Sequence, residues 1–200
     1  WVYRRMKENQ YAPIKYGSEF LMALGVFLSC GLITVSPELV HLMLPSSYAV
    51  TTSIIPMLVF AMYLQFLFTL VYDLEYFRKK PHWIALQSTI AAASNVVLNI
   101  LIIPIVGYQS ACYLTCISYA ILLLTGLAMT RKLDFNSIYN SKALLLSVIF
   151  MGGYSLLGIA VENNLVIRYL LMIVVTCFLL YRYRNILNSQ LKELMRSNVQ

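Results

Sequence analysis

Asn95 and Asn99 are two amides one helical turn apart inside an otherwise apolar run, WIALQSTIAAASNVVLNILIIPIVGYQSACYLTCISY, which extends from Trp83 to Tyr119. At 100° per residue, Gln87, Ser88, Ala91, Ser94, Asn95 and Asn99 fall within an arc of about 140° on one helix. Leu86, Ile90, Val97 and Ile100 take the opposite face. An unpaired amide in hydrocarbon costs several kcal/mol, so the amide face must look into protein or water. After Gly107, a second helix carries a matching face of small or weakly polar residues, Ala111, Thr115, Ser118 and Thr125. Two chemistries suit such a pair. Amides and small residues can bond and pack helix on helix, for about 1 kcal/mol per bond, or they can line a polar path.

The side chains that normally carry catalysis or hold metal do not converge. His41 and His82 lie near opposite interfaces, and neither has a carboxylate at metal-ligand spacing. Cys30, Cys112, Cys116 and Cys177 all lie in apolar runs. Cys112 and Cys116 are a helical turn apart and not a CxxC pair, so the four read as small apolar fillers. Glu19, Glu38, Asp73, Glu75, Asp134, Glu162 and Glu193 sit near span ends or in loops, away from mid-membrane, where a proton relay would need them. No enzyme, no cofactor and no metal is therefore expected.

These residues are positioned by long apolar segments. The chain is 60% hydrophobic and 12% charged, with a mean hydropathy of +0.73. Soluble domains carry about 25% charged residues, so the bilayer is expected to be the solvent for most of this surface. Six runs approach the roughly 20 apolar residues that a hydrocarbon core requires: 17–36, 51–72, 83–105, 108–130, 143–161 and 165–181. Ser36-Pro37-Glu38 reads as a helix start, giving a short interfacial helix LVHLML that stops at Pro45. Pro56 kinks the second span, and Gln65 lies inside it. Pro104 ends the third span, and Gly107 opens the turn to the fourth. Tyr16, Tyr48, Tyr72, Tyr108 and Tyr181 mark an aromatic belt, with Trp83 as an anchor.

The net charge of +7 does not point to nucleic acid, because the charges lie in short clusters between apolar runs. Arg4, Arg5, Lys7 and Lys15 precede the first span. Arg78, Lys79 and Lys80 follow the second, and Arg131, Lys132 and Lys142 the fourth. Arg182, Arg184, Lys192 and Arg196 follow the last. With six crossings, every Lys and Arg but Arg168 falls on one side, which the positive-inside rule makes cytoplasmic. Arg168, near the outer end of the sixth span, is expected to snorkel to the headgroups. The fold class is thus an all-α, polytopic membrane helix bundle with six transmembrane helices and both ends cytoplasmic. Its parts are an approach segment (1–16), four helices (17–131), two further helices (132–182) and a basic tail (183–200). No signal peptide is visible. The first residue is Trp1 and not Met, so the chain is expected to be a piece of a longer protein.

Asn95-x3-Asn99, then Ile-Ile-Pro104-x2-Gly107, then Ser-Ala-Cys-x2-Thr115 resembles a pattern of the oligosaccharide flippases. These are the O-antigen-type polysaccharide transporters of the multidrug/oligosaccharidyl-lipid/polysaccharide exporter superfamily. Their usual form is an asparagine-rich helix, Leu-Ile-Pro, a Gly turn, Gly-Ala-Ala and a Thr. Asn99, Ile103, Pro104, Gly107, Ala111 and Thr115 match it, while Ser110 stands for the second Gly and Cys112 for the second Ala. SPELVHLML followed by Tyr48 resembles the family's outer-loop segment. The resemblance covers most of residues 1–131 and is looser beyond. It implies that the chain corresponds to the last six helices of a 14-helix protein, with an N-terminal lobe of the same protein as its partner. It implies a multi-pass protein of the cytoplasmic (inner) membrane that flips lipid-linked oligosaccharide by alternating access, as part of polysaccharide or lipopolysaccharide assembly. Its ligands would be that glycolipid and membrane lipids. Gln87, Asn95, Asn99 and Thr115 are the substrate-path candidates, and Pro104 and Gly107 the structural motif. A structural membrane subunit and a glycan polymerase or acyltransferase are the alternatives.

Overall fold

The computed structural model describes residues 2–45, 51–133 and 135–197, with side chains as far as Arg182. Tyr48, Asp134 and the side chains of Lys132, Arg184, Lys192, Glu193 and Arg196 lie outside what is described. The elements are α1 (Val2–Lys7), α2 (Tyr11–Met43), α3 (Thr51–Phe77), α4 (Pro81–Val106) and α5 (Ser110–Thr130). A 3-10 turn (Arg131–Leu133), α6 (Phe135–Ile138), α7 (Ser141–Ala160) and α8 (Leu165–Ser197) complete them. No strand occurs among the described residues. Among the described residues six helices are long and apolar enough to cross a membrane: α2, α3, α4, α5, α7 and α8 as far as Arg182.

α3 is the central helix. It packs against α2, α5 and α7, and its Ala61, Leu67, Val71 and Leu74 are wholly enclosed. Lipid tails are as apolar as leucine, so close packing and polar bonds hold such helices together in place of hydrophobic expulsion. Gly126 on α5 shows how close the packing is. A Cβ there would lie 2.8 Å from Val71 Cγ1 and 3.0 Å from Phe68 Cε2, so any side chain would push α5 off α3. α4 is the contrasting case: it rests mainly on α5, and only Gln87 and Ala91 are buried along its 26 residues.

Contacts between distant segments gather the basic clusters at one end of the bundle. Tyr3 donates to Asp73 at 3.3 Å, and Asn140 Nδ2 donates to Glu19 Oε1 at 2.5 Å. Lys80 stands 4.0 Å over the Trp83 ring. At the opposite end Gly158 of α7 meets Ile33 of α2 and Pro56 of α3. Arg168 belongs to that second end.

Several boundaries differ from those expected. α2 starts at Tyr11, inside the anticipated approach segment, and does not break at Pro37. Proline cannot donate to the carbonyl of Ile33 four residues back, but Ser36 Oγ donates to that carbonyl at 2.9 Å, and the helix continues to Met43. There is thus no separate interfacial helix. α3 runs through Asp73 and Glu75 to Phe77, which shortens the basic connection to Arg78–Lys80. Pro104 lies within α4 and does not end it; the helix goes on to Val106. Pro104 has no N–H to donate to Ile100 O four residues back, so that carbonyl alone loses its bond near the end of the helix. The sixth span and the basic tail form one helix, α8.

The turn after α4 is made by Gly107. Its φ of 98° and ψ of 169° are essentially restricted to glycine, and its N–H donates to Ile103 O at 2.8 Å. Downstream, Asn140 caps α7 by accepting from Ala143 N at 3.3 Å.

Candidate functional site

Gln87, Asn95, Asn99 and Thr115 separate into two places. Gln87 sits near the basic end of α4 and is fully buried. Its Nε2 donates to Glu75 Oε1 of α3 at 2.6 Å and lies 3.1 Å from Met129 Sδ of α5. Glu75 is equally enclosed. Glu75 Oε2 and Gln87 Oε1 have no partner among the described residues. This is a carboxyl–amide knot enclosed between three helices.

Asn95 and Asn99 lie two to three turns further along α4, at about 1.5 Å per residue. Both are half-buried. Asn99 Nδ2 donates to Asn95 O at 2.7 Å and to Asn95 Oδ1 at 3.0 Å. Asn95 Nδ2 donates across the helix interface to Ser118 Oγ at 3.1 Å. Ser118 passes the polarity on, donating to Leu114 O at 2.8 Å. The result is a directed hydrogen-bond chain from the partly open surface of α4 to buried backbone on α5. Asn99 Oδ1, at its open end, accepts from no described residue. Thr115 lies on the same helix as Ser118 and bonds back to Ala111 O at 2.8 Å. Pro104 and Gly107 shape the turn beyond this cluster.

A third polar group was not anticipated. Arg168 is buried and does not snorkel. Its Nη2 and Nη1 reach Glu38 Oε1 and Oε2 at 2.6 and 3.0 Å, and Nη1 also donates to Thr34 O at 2.7 Å. Thr34 Oγ1 donates to Cys30 O at 2.8 Å, so the Tyr154 hydroxyl, also at 2.8 Å, donates to Thr34. The network joins α2, α7 and α8.

Periodicity could have shown both enclosed charges. Leu64, Phe68, Val71 and Glu75 recur at intervals of three and four residues, as do Arg168, Leu171, Val175 and Leu179. In each series the charge continues the face that packs inward, and only proximity to a span end suggested exposure.

Among the described residues no group of His, Cys, Asp and Glu could hold a metal ion. The architecture defines the class: an all-helical protein with six helices long and apolar enough for a multi-pass membrane protein. Compared with known protein families, curated proteins and solved structures, the chain gives no match in any of the three.

Proposed function

We propose that this chain is part of a membrane transporter, and not an enzyme, that flips lipid-linked oligosaccharide across the cytoplasmic membrane by alternating access. The observation that carries the reading is the Asn95–Asn99 pair. These amides lie half-open on the spanning helix with the smallest buried share, and Asn99 Oδ1 accepts from no described residue. An amide oxygen facing hydrocarbon is costly, so this face requires water, a hydroxyl-rich ligand or a further protein lobe. A polar wall between two lobes answers the physical problem of passing many hydroxyls through a bilayer. The family pattern around Asn99, Pro104, Gly107 and Thr115 is consistent with that role, and the basic end, with both termini, is then cytoplasmic.

The second reading is a structural subunit whose α4 face packs on a partner protein. The Asn95–Ser118 bond favours it, since one amide is already engaged in helix packing. Asn95→Leu and Asn99→Leu in the full-length protein distinguish the two. A transporter path predicts near-normal melting in detergent, loss of surface glycan in cells, and reaction of Asn99→Cys with a water-soluble thiol reagent in a cysteine-free background. Intact glycan export from both variants, with no labelling at position 99, overturns the path. Asn163→Cys, in the turn before α8, tests sidedness: labelling only from the cytoplasm overturns the topology.

A further inference from the structure

α8 packs along α2, while α7 packs on α2 and α3 and leaves α8 apart. The gap is a cavity of about 420 Å³ at the basic end of the bundle, a volume within the roughly 300–1,000 Å³ of small-molecule sites. Its walls are apolar: Met22 and Val26 from α2, Leu146 and Phe150 from α7, Phe178 and Leu179 from α8. Leu146 and Phe178 remain 66% and 60% exposed, so the cavity opens sideways to whatever surrounds the bundle, which for these helices is lipid.

Its rim is different chemistry. Lys142 and Arg182 stand on two helices at the mouth, both exposed, and neither has an ion-pair partner among the described residues. The carboxylate of Glu19 is also on the rim, where its Oε1 accepts from Asn140 Nδ2. Two cations and one carboxylate leave the mouth net positive. The N-terminus of the 20-residue α7 opens at the same rim and adds the positive end of its dipole.

We infer that the gap between α2, α7 and α8 is a binding site for an anionic phospholipid of the leaflet at the basic end. The phosphate meets Lys142, Arg182 and the α7 N-terminus, and an acyl chain enters between Met22, Leu146 and Phe178. From Glu19 to Val26 the wall rises about 10 Å, two helical turns, enough for the upper part of one chain. A soluble anion would leave the apolar walls unfilled, and a zwitterionic lipid would bring its own cation against Lys142 and Arg182. Phospholipid is also the amphiphile that surrounds every membrane helix. The site is independent of what the protein transports.

The test uses the full chain in lipid nanodiscs. Trp1 and Trp83 are changed to Phe, and Phe178→Trp supplies the only indole. Brominated phosphatidylglycerol is expected to quench it at lower mole fraction than brominated phosphatidylcholine. Each juxtamembrane cation contributes about fivefold to anionic lipid binding, so Lys142→Gln with Arg182→Gln should reduce the preference by about 25-fold. Unchanged circular dichroism and melting would confirm that the exposed pair was altered without unfolding. Equal quenching by the two lipids, or a preference that survives the double change, overturns the site. Relief of quenching by glycerol phosphate would assign the rim to soluble anions, and relief by polyprenyl phosphate at lower mole fraction than phosphatidylglycerol would assign the cavity to another lipid. Either result also overturns the inference.

Discussion

Arg168 Nη2 lies 2.6 Å from Glu38 Oε1, and the second nitrogen meets the second oxygen at 3.0 Å, a fork-on-fork pair across 130 positions of sequence. Parallel charge-assisted bonds of this kind fix geometry as well as adding energy. The arginine side chain is 7% exposed and that of the glutamate 36%, so the pair is shielded on the cation's side. It fastens the start of α8 to the end of α2, where Asn164 caps α8 by accepting from Ile167 N at 3.3 Å.

Removing only Glu38 should be the most damaging change at this end. Glu38→Leu leaves the guanidinium buried with one carbonyl, Thr34 O, and is expected to cost on the order of 3 kcal/mol. The double change Glu38→Leu with Arg168→Met should recover much of that loss, because no unpaired charge remains. Melting curves in detergent for the two singles and the double form the cycle. Additive losses would show that the two side chains do not act as a pair.

The carboxyl–amide knot allows a similar comparison. Gln87→Leu takes the donor from Glu75 Oε1 and leaves the carboxyl enclosed among apolar side chains. A loss of about 1–3 kcal/mol is expected. Glu75→Gln keeps a hydrogen-bonding partner for Gln87 and should melt close to wild type. A larger loss for Glu75→Gln than for Gln87→Leu would contradict the arrangement.

At Gly107 the expected effect is purely backbone. A Cβ there would meet nothing within 4 Å, yet φ and ψ lie where only glycine is comfortable. Gly107→Ala should therefore destabilise by about 1–3 kcal/mol despite the open space. Gly107→Asn should not recover the loss, because asparagine relieves the left-handed helical region and not this one. Wild-type melting of Gly107→Ala would refute the turn geometry.

Tyr3 gives a pH signature outside the membrane-spanning helices. Burial, with the neighbouring carboxylate of Asp73 next, pushes its phenol up to about 12. The neutral phenol is the donor to Asp73, so the folded state holds this proton more tightly than the unfolded one. Its contribution is complete below the ordinary tyrosine value near pH 10 and disappears as pH rises to about 12. Protease protection of the N-terminus should fall across that window. Tyr3→Phe should abolish the window, and an identical pH profile in that variant would exclude the contact as its cause.

The sequence alone determined the six apolar segments, the separation of Arg168 from the other cations whose side chains are described, and the glycine turn after α4. These are properties of consecutive residues: a run is long enough or it is not, and a turn of this conformation accepts one residue type. The tertiary structure decided which face of each helix is enclosed. Gln65 lies exposed on α3, while Gln87, also within an apolar run, is buried against Glu75. Pro37 reads as a boundary in the sequence because the Ser36 hydroxyl that bonds the freed Ile33 carbonyl is visible only in the folded helix. Arg168 looked like a headgroup ligand because its partner is remote in sequence. The same holds for Asn95, whose acceptor Ser118 is set by the approach of α5. A span is fixed by its hydrophobic length, but the polar groups inside it are assigned by whichever helix comes within about 3 Å to satisfy them.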